Sequence, residues 1–241
     1  MVLPQAGAGA GVWERWLQPG ALGPNVEVVV AELPGRGARP TERGFSRMGR
    51  AATALLDELA PLLVDKPYAL LGHSMGAWLA YEMVQQARQR GVPLPLKLYV
   101  SANRAPHLYS IRHDVDPTPF SRLQHAQFWR AWDKRYGFIP GLDHEPTREY
   151  CYPLFRLDFE MIETYSPSST AALPVPLCAM GGDEDNRYTK EQLAAWAQHT
   201  SAAFEERWMK GGHRYPVVPP TEAPAMAYFR EEMAALAEKH T

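Results

Sequence analysis

Tyr68-Ala69-Leu70-Leu71-Gly72-His73-Ser74-Met75-Gly76-Ala77 decides the fold. The apolar run Tyr68–Leu71 reads as a short buried strand, and the residues from Met75 to about Arg90 read as a helix stopped by Gly91. Between them lies Gly72-His73-Ser74-Met75-Gly76, a serine flanked at two residues' distance by glycines. A strand that turns this sharply into a helix needs small neighbours on both sides, and it pushes the central serine to the carboxyl edge of the sheet with its hydroxyl exposed. The helix starting at Met75 directs free N–H groups and the positive end of its dipole at the same spot, which favours a developing negative charge.

Working outward, Met1-Val2-Leu3 is a short apolar piece followed by the small-residue loop Pro4–Gly11, and Trp13 and Trp16 begin a short helical pattern. Asn25–Leu33 is β-branched, stops at Pro34-Gly35 and predicts a buried strand. Ser46 is placed to cap a helix whose apolar face is Met48, Ala52, Leu55, Leu56, Leu59 and Leu63. Leu96–Ala102 predicts a third strand. The rhythm resumes with strand Val175–Met180, helix Thr189–His199, strand Ala203–Met209 and an amphipathic helix from about Glu222. Strands alternating with helices imply an α/β fold, a mostly parallel sheet with helices on both faces. From about Arg104 to Ser168 the alternation stops, and two aromatic-rich helical patterns, about Phe120–Tyr136 and Pro146–Tyr165, mark a helical insertion. The expected division is a core of residues 1–103 and 169–241 with residues 104–168 inserted.

The chain's 241 residues suit one large domain with an insertion. Lys and Arg total 25 against 27 Asp and Glu, a net charge of −2 that gives no reason to expect a nucleic-acid or anionic-membrane partner. No stretch of about 18 apolar residues suggests a membrane helix. The first residues lack the basic segment of a secretion signal, and Cys151 and Cys178 form neither a disulfide framework nor a metal site, so a cytoplasmic location is expected.

A serine hydroxyl needs a general base, and the base an orienting acid. In a fold with this elbow the chain order is Ser, then Asp or Glu, then His. Asp183 and Asp185 follow the strand Val175–Met180 in Gly181-Gly182-Asp183-Glu184-Asp185, and His213 follows the strand Ala203–Met209 behind Gly211-Gly212. Of eight histidines, His213 alone has a glycine-freed loop after a strand, and the loop-tip position favours Asp185 over Asp183, whose simpler role is a turn residue. Gly7-x-Gly9 with Glu32 could instead belong to a dinucleotide site, but Val12 stands at the third glycine position and Pro4 interrupts the approach, which favours an oxyanion loop. His113, Asp114 and Asp116 lack metal-ligand spacing and read as loop. The aromatics Phe120, Phe128, Trp129, Trp132 and Tyr136 could line a channel, with helix packing the larger share. Arg112, Arg122, Arg130, Lys134 and Arg135 read mostly as a solvated face.

Pro4-Gln5-Ala6-Gly7, Leu33-Pro34-Gly35-Arg36, Gly72–Ala77, Arg104-Ala105-Pro106-His107, Arg156-Leu157-Asp158-Phe159 and Gly211-Gly212-His213 occur in this order. Together they resemble the type II thioesterases of polyketide and nonribosomal peptide synthesis, within the α/β-hydrolase superfamily, over nearly the whole chain. The resemblance implies hydrolysis of acyl groups from the phosphopantetheine arm of an acyl or peptidyl carrier protein, for editing or release. Chemistry of this kind needs no metal or organic cofactor, and a monomer is the default expectation. It makes Ser74 the nucleophile, Asp185 the acid, His213 the base, the N–H groups of Ala6 and Met75 the oxyanion hole, and residues 104–168 a lid. Three departures stand out: Gln5 where the family usually has His, Arg214-Tyr215-Pro216 where an aromatic pair often follows the catalytic His, and fewer residues before the first strand. The competing expectations are a small-molecule carboxylesterase and a hydrolase-fold binding protein without catalysis.

Overall fold

The computed structural model describes residues 1–239. Along each central strand, successive side chains enter opposite layers. Leu70, Leu98, Val100, Leu177 and Ala179 join one apolar cluster, while Leu71, Tyr99, Cys178 and Met180 join another. This two-sided burial is what a parallel sheet covered on both faces requires. The strands are β1 (Val2–Leu3), β2 (Leu70–His73), β3 (Leu98–Ser101), β4 (Leu177–Gly182) and β5 (Phe204–Met209), parallel throughout and adjacent in chain order. On one face lie α1 (Met48–Asp65) and α2 (Met75–Arg90), and on the other α6 (Glu222–Glu238) contributes Ala225 and Phe229 to the second cluster. The expected α/β architecture is present.

Helix α2 runs as read, from Met75 to Arg90, with Gly91 at φ 68° ending it in the left-handed conformation. The apolar face of α1 is buried as expected, but Ser46 does not cap it. The helix begins at Met48, so the cap position falls on Arg47, which offers only donors and makes no side-chain cap. Asn25–Leu33 is extended yet forms no ladder: one bridge joins Val30 to Val2, because β1 offers only Val2 and Leu3 to pair with. Trp13 closes a single 3-10 turn, Ala10–Trp13, and the helix expected at Thr189–His199 splits into α5 (Lys190–Ala194) and a 3-10 turn, Ala195–His199.

Residues 104–168 contain no strand among the described residues and hold α3 (His125–Tyr136) and α4 (Glu145–Glu163). Phe120, Phe128, Trp129, Trp132, Phe155 and Phe159 bury one another there, with Phe120 stacked on Phe159 at 4.6 Å. Burial of this kind contributes about 1.5–3 kcal/mol per large apolar side chain, so these aromatics act chiefly as packing. No described helix is long and apolar enough to cross a membrane.

The elbow sets the tightest steric limits. A Cβ on Gly72 would sit 2.1 Å from the Gly76 carbonyl oxygen, and one on Gly76 would sit 2.0 Å from that of Leu3. The strand, the helix and the neighbouring strand touch backbone to backbone. Gly76→Ala is expected to cost about 3 kcal/mol or more in chemical denaturation, since backbone must move to admit the methyl. Gly49→Ala, in open space on α1, should stabilise by about 0.5–1 kcal/mol. Equal stabilities for the two variants would contradict this steric account.

Candidate active site

Ser74 adopts φ 55°, ψ −118°, a backbone conformation that L residues rarely take and that costs about 1–3 kcal/mol. The turn is held from both sides. The Ser74 N–H donates to the Ser101 carbonyl at 2.7 Å, and the Asn103 amide donates to the Ser74 carbonyl at 3.0 Å. Both partners come from the end of β3. Met75 opens α2, so its N–H has no intrahelical acceptor and stands beside the serine hydroxyl.

The loops after β4 and β5 bring the other two groups. They cross at a glycine contact: a Cβ on Gly182 would lie 2.3 Å from the Gly211 carbonyl oxygen and 2.7 Å from that of Gly212. Asp183 braces this crossing, accepting from the Gly211 N–H at 2.9 Å and from Lys210 at 2.7 Å. Asp183 is therefore the turn residue. Asp185 instead faces His213, with its Oδ2 2.7 Å from Nδ1, and the Arg187 N–H donates to its Oδ1 at 3.0 Å. On the far side of the ring, His213 Nε2 lies 2.9 Å from Ser74 Oγ. Ser74, His213 and Asp185 thus form one hydrogen-bonded line. Burial alone would raise the Asp185 pKa, but His213 and the Arg187 N–H outweigh it and hold the carboxyl below its usual range.

Ala6 lies in the turn after β1. Ala8 N–H closes this turn on the Gln5 carbonyl at 3.1 Å, and Gly7 N–H donates to Asp158 at 2.7 Å. Gln5 leaves its own Oε1 buried without a partner. Glu32 accepts from the N–H groups of Ala10 and Ala38 at 3.0 and 2.9 Å and crowds both Gly9 and Gly37, so it braces this corner and is not open to a ribose. Tyr215, after His213, points inward and bonds Ser101 Oγ at 2.7 Å, away from the pocket rim. Ser101 in turn contacts His73 Nδ1 at 2.9 Å. His73 is fully buried, which pushes its pKa down to about 3 and keeps the ring neutral behind His213.

A cavity of about 50 Å³ opens beside Ser74, Met75 and His213. Its polar wall was not legible in the sequence. Asp114 accepts from both Arg104 (2.9 Å) and Arg187 (2.8 Å), and Asp116 pairs with Arg135 at 3.0 Å. Hydrogen bonding to Arg135 holds Asp116 well below the ordinary carboxylate range. The two aspartates are structural ion-pair partners in the cavity wall, which a loop reading did not predict, and Arg135 is not part of a solvated face. Only Arg104 lay within a motif; nothing in the spacing of Asp114 or Asp116 pointed to it. Tyr136 and Phe159 complete the apolar part of the lining. No three His, Cys, Asp or Glu side chains are clustered as a metal site among the described residues.

A serine on a strand–helix elbow, lined up with a histidine and an aspartate from the two following strand ends, defines an α/β-hydrolase. The chain belongs to the thioesterase family, whose domain model matches residues 1–230. It is 32% identical over 215 residues to thioesterase PikA5 of Streptomyces venezuelae, covering 88% of this chain and 73% of that protein. The solved structure of RedJ, a thioesterase of the prodiginine pathway in Streptomyces coelicolor, superposes with a TM-score of 0.86 at 31% identity, covering 96% of this chain and 88% of RedJ. YbtT, a type II thioesterase of the yersiniabactin pathway, superposes with a TM-score of 0.81 at 26% identity, covering 98% of this chain and 92% of YbtT.

Asp185→Asn is expected to lower kcat by about 10⁴-fold with KM little changed, while Asp183→Asn stays near wild type. Comparable losses in both would reverse the assignment of the acid. Stability should also respond to acid. Burial holds His73 near 3 and, with the charge of His107 as the lesser cause, His199 near 4 in the folded protein, below the ordinary histidine value of 6.5. The unfolded chain then binds more protons below pH 6.5, so the contribution of these rings is complete above that pH and lost as pH falls toward 4 and then 3. Denaturation midpoints measured from pH 7.5 to 4 should fall steadily, and His73→Gln should flatten the slope. An unchanged slope would exclude His73 as a source.

Proposed function

We propose that this thioesterase cleaves acyl groups from the phosphopantetheine arm of acyl or peptidyl carrier proteins, with Ser74, His213 and Asp185 as its catalytic residues. The observation that carries the proposal is the line of hydrogen bonds from Asp185 Oδ2 through both nitrogens of His213 to Ser74 Oγ. His213 takes the Ser74 proton as Oγ attacks the thioester carbonyl, and Asp185 keeps the ring in the required tautomer and stabilises the imidazolium. The N–H groups of Ala6 and Met75 receive the oxyanion. Losing one such donor typically costs about 2.7–4 kcal/mol of transition-state stabilisation. Collapse of the tetrahedral adduct breaks the carbon–sulfur bond, and the leaving thiolate takes the proton from His213. Water then attacks the Ser74 ester, giving its proton to His213, and the free acid departs as Ser74 recovers its hydrogen.

The carrier substrate is inferred from YbtT, by its name a type II thioesterase of a mixed nonribosomal peptide and polyketide pathway. In this reading α3 and α4 form a lid over the acyl site, and the enzyme works as a monomer. The exposed side chains Arg112, Arg122, Arg130 and Lys134 leave positive charge on the same segment, suited to an acidic carrier.

Ser74→Ala should fold normally and lose all turnover above background. Wild type, assayed on acyl-carrier, acyl-CoA and p-nitrophenyl ester substrates, should show its highest kcat/KM on acyl-carriers. A preference for simple esters would point to a carboxylesterase, and equal activity of Ser74→Ala would remove Ser74 as nucleophile.

A further inference from the structure

Arg36 and Asp158 come from two segments 122 residues apart, and no step of the mechanism uses them. The structure joins them in a bidentate ion pair, Nη1 to Oδ2 at 2.9 Å and Nη2 to Oδ1 at 2.8 Å, with side chains only 5% and 1% exposed. A buried pair of this kind is weak evidence for stability, since well-packed apolar residues often serve as well. Its surroundings suggest a different use. Asp158 Oδ2 also accepts from the Gly7 N–H at 2.7 Å, and Arg36 Nη1 lies 3.4 Å from the Ala8 carbonyl oxygen. Gly7 stands at φ 73°, and a Cβ there would lie 2.1 Å from Phe155 Cε1. The turn carrying Ala6 is therefore seated against α4 by a charged acceptor and a ring with no room to spare, and against the Arg36 loop by a donor to the Ala8 carbonyl.

We infer that Asp158 and Arg36 are positioning residues for the oxyanion hole, and that they make its geometry depend on the seating of α4. Asp158 fixes the Gly7 amide, one residue from the Ala6 N–H that faces the reacting carbonyl. Arg36 orients the carboxylate and neutralises it, so that a negative charge beside the hole does not oppose the oxyanion. Because Asp158 lies on α4, any displacement of that helix withdraws the carboxylate from Gly7. The hole is then complete only when the helix is closed over the site. The inference rests on Ser74 attacking the acyl group with Ala6 as an oxyanion donor.

The test uses the apolar double variant Arg36→Met/Asp158→Leu, which leaves no unpaired buried charge, and Asp158→Asn, which keeps an oxygen for the Gly7 amide. Both are assayed on an acetyl thioester of N-acetylcysteamine, with active sites counted by complete labelling with a fluorophosphonate and melting followed in parallel. The double variant should lose on the order of 10²-fold in kcat per active site with KM within about twofold of wild type. Its affinity for a boronic acid that forms a tetrahedral Ser74 adduct should fall by a similar factor. Asp158→Asn should recover most of the kcat lost by the double variant. Wild-type kcat per active site in the folded double variant would overturn the inference. So would a loss in melting temperature that Asp158→Asn shares without any difference in kcat between the two. Activity surviving in Ser74→Ala would instead overturn the catalytic reading on which the inference rests.

Discussion

Ser74 is held at a positive φ because strand and helix meet with no side chains between them. Gly72 lies against the Gly76 carbonyl, and Gly76 against the carbonyls of Leu3 and Pro4. The rest of the site depends on this contact. It brings the end of β1 against the start of α2. It also aims Ser74 Oγ out of the sheet edge, where His213 meets it. The turn is held from both sides by the Ser101 carbonyl and the Asn103 amide.

The second constraint is the crossing of the loops after β4 and β5. Parallel neighbouring strands deliver Asp185 and His213 to the same edge, but only the backbone contact of Gly182 with Gly211 brings the loops close enough for a 2.7 Å hydrogen bond between the two side chains. Asp183 secures the crossing and Asp185 uses it. Two carboxylates two residues apart thus take different roles because one faces Lys210 and solvent while the other is sealed under His213.

Charge around Ser74 is held largely in buried ion pairs. Arg104 and Arg187 share Asp114, Arg135 holds Asp116, and Arg36 holds Asp158. In a buried setting an unpaired charge is costly, so pairing lets the walls be polar. His73 is kept neutral directly behind His213, so no second buried charge stands there.

Local chemistry made much of this legible in advance. The elbow, the helix from Met75 to Gly91 and the order of serine, acid and histidine follow from short-range rules: steric limits at glycine, helix termination in the left-handed region, and β/α alternation. The cap expected at Ser46 and the strand expected at Asn25–Leu33 do not form, because one depends on where the first helical turn starts and the other on how much partner strand is present. Nothing in the sequence paired Asp114 with two arginines or Arg36 with Asp158. Such contacts join residues that are remote along the chain, and their spacing has no period to detect. The amino-acid order therefore determined which groups stand at the ends of strands. Tertiary packing alone decided which carboxylate reached the histidine, because that choice turns on a few ångströms of loop crossing that no local preference encodes.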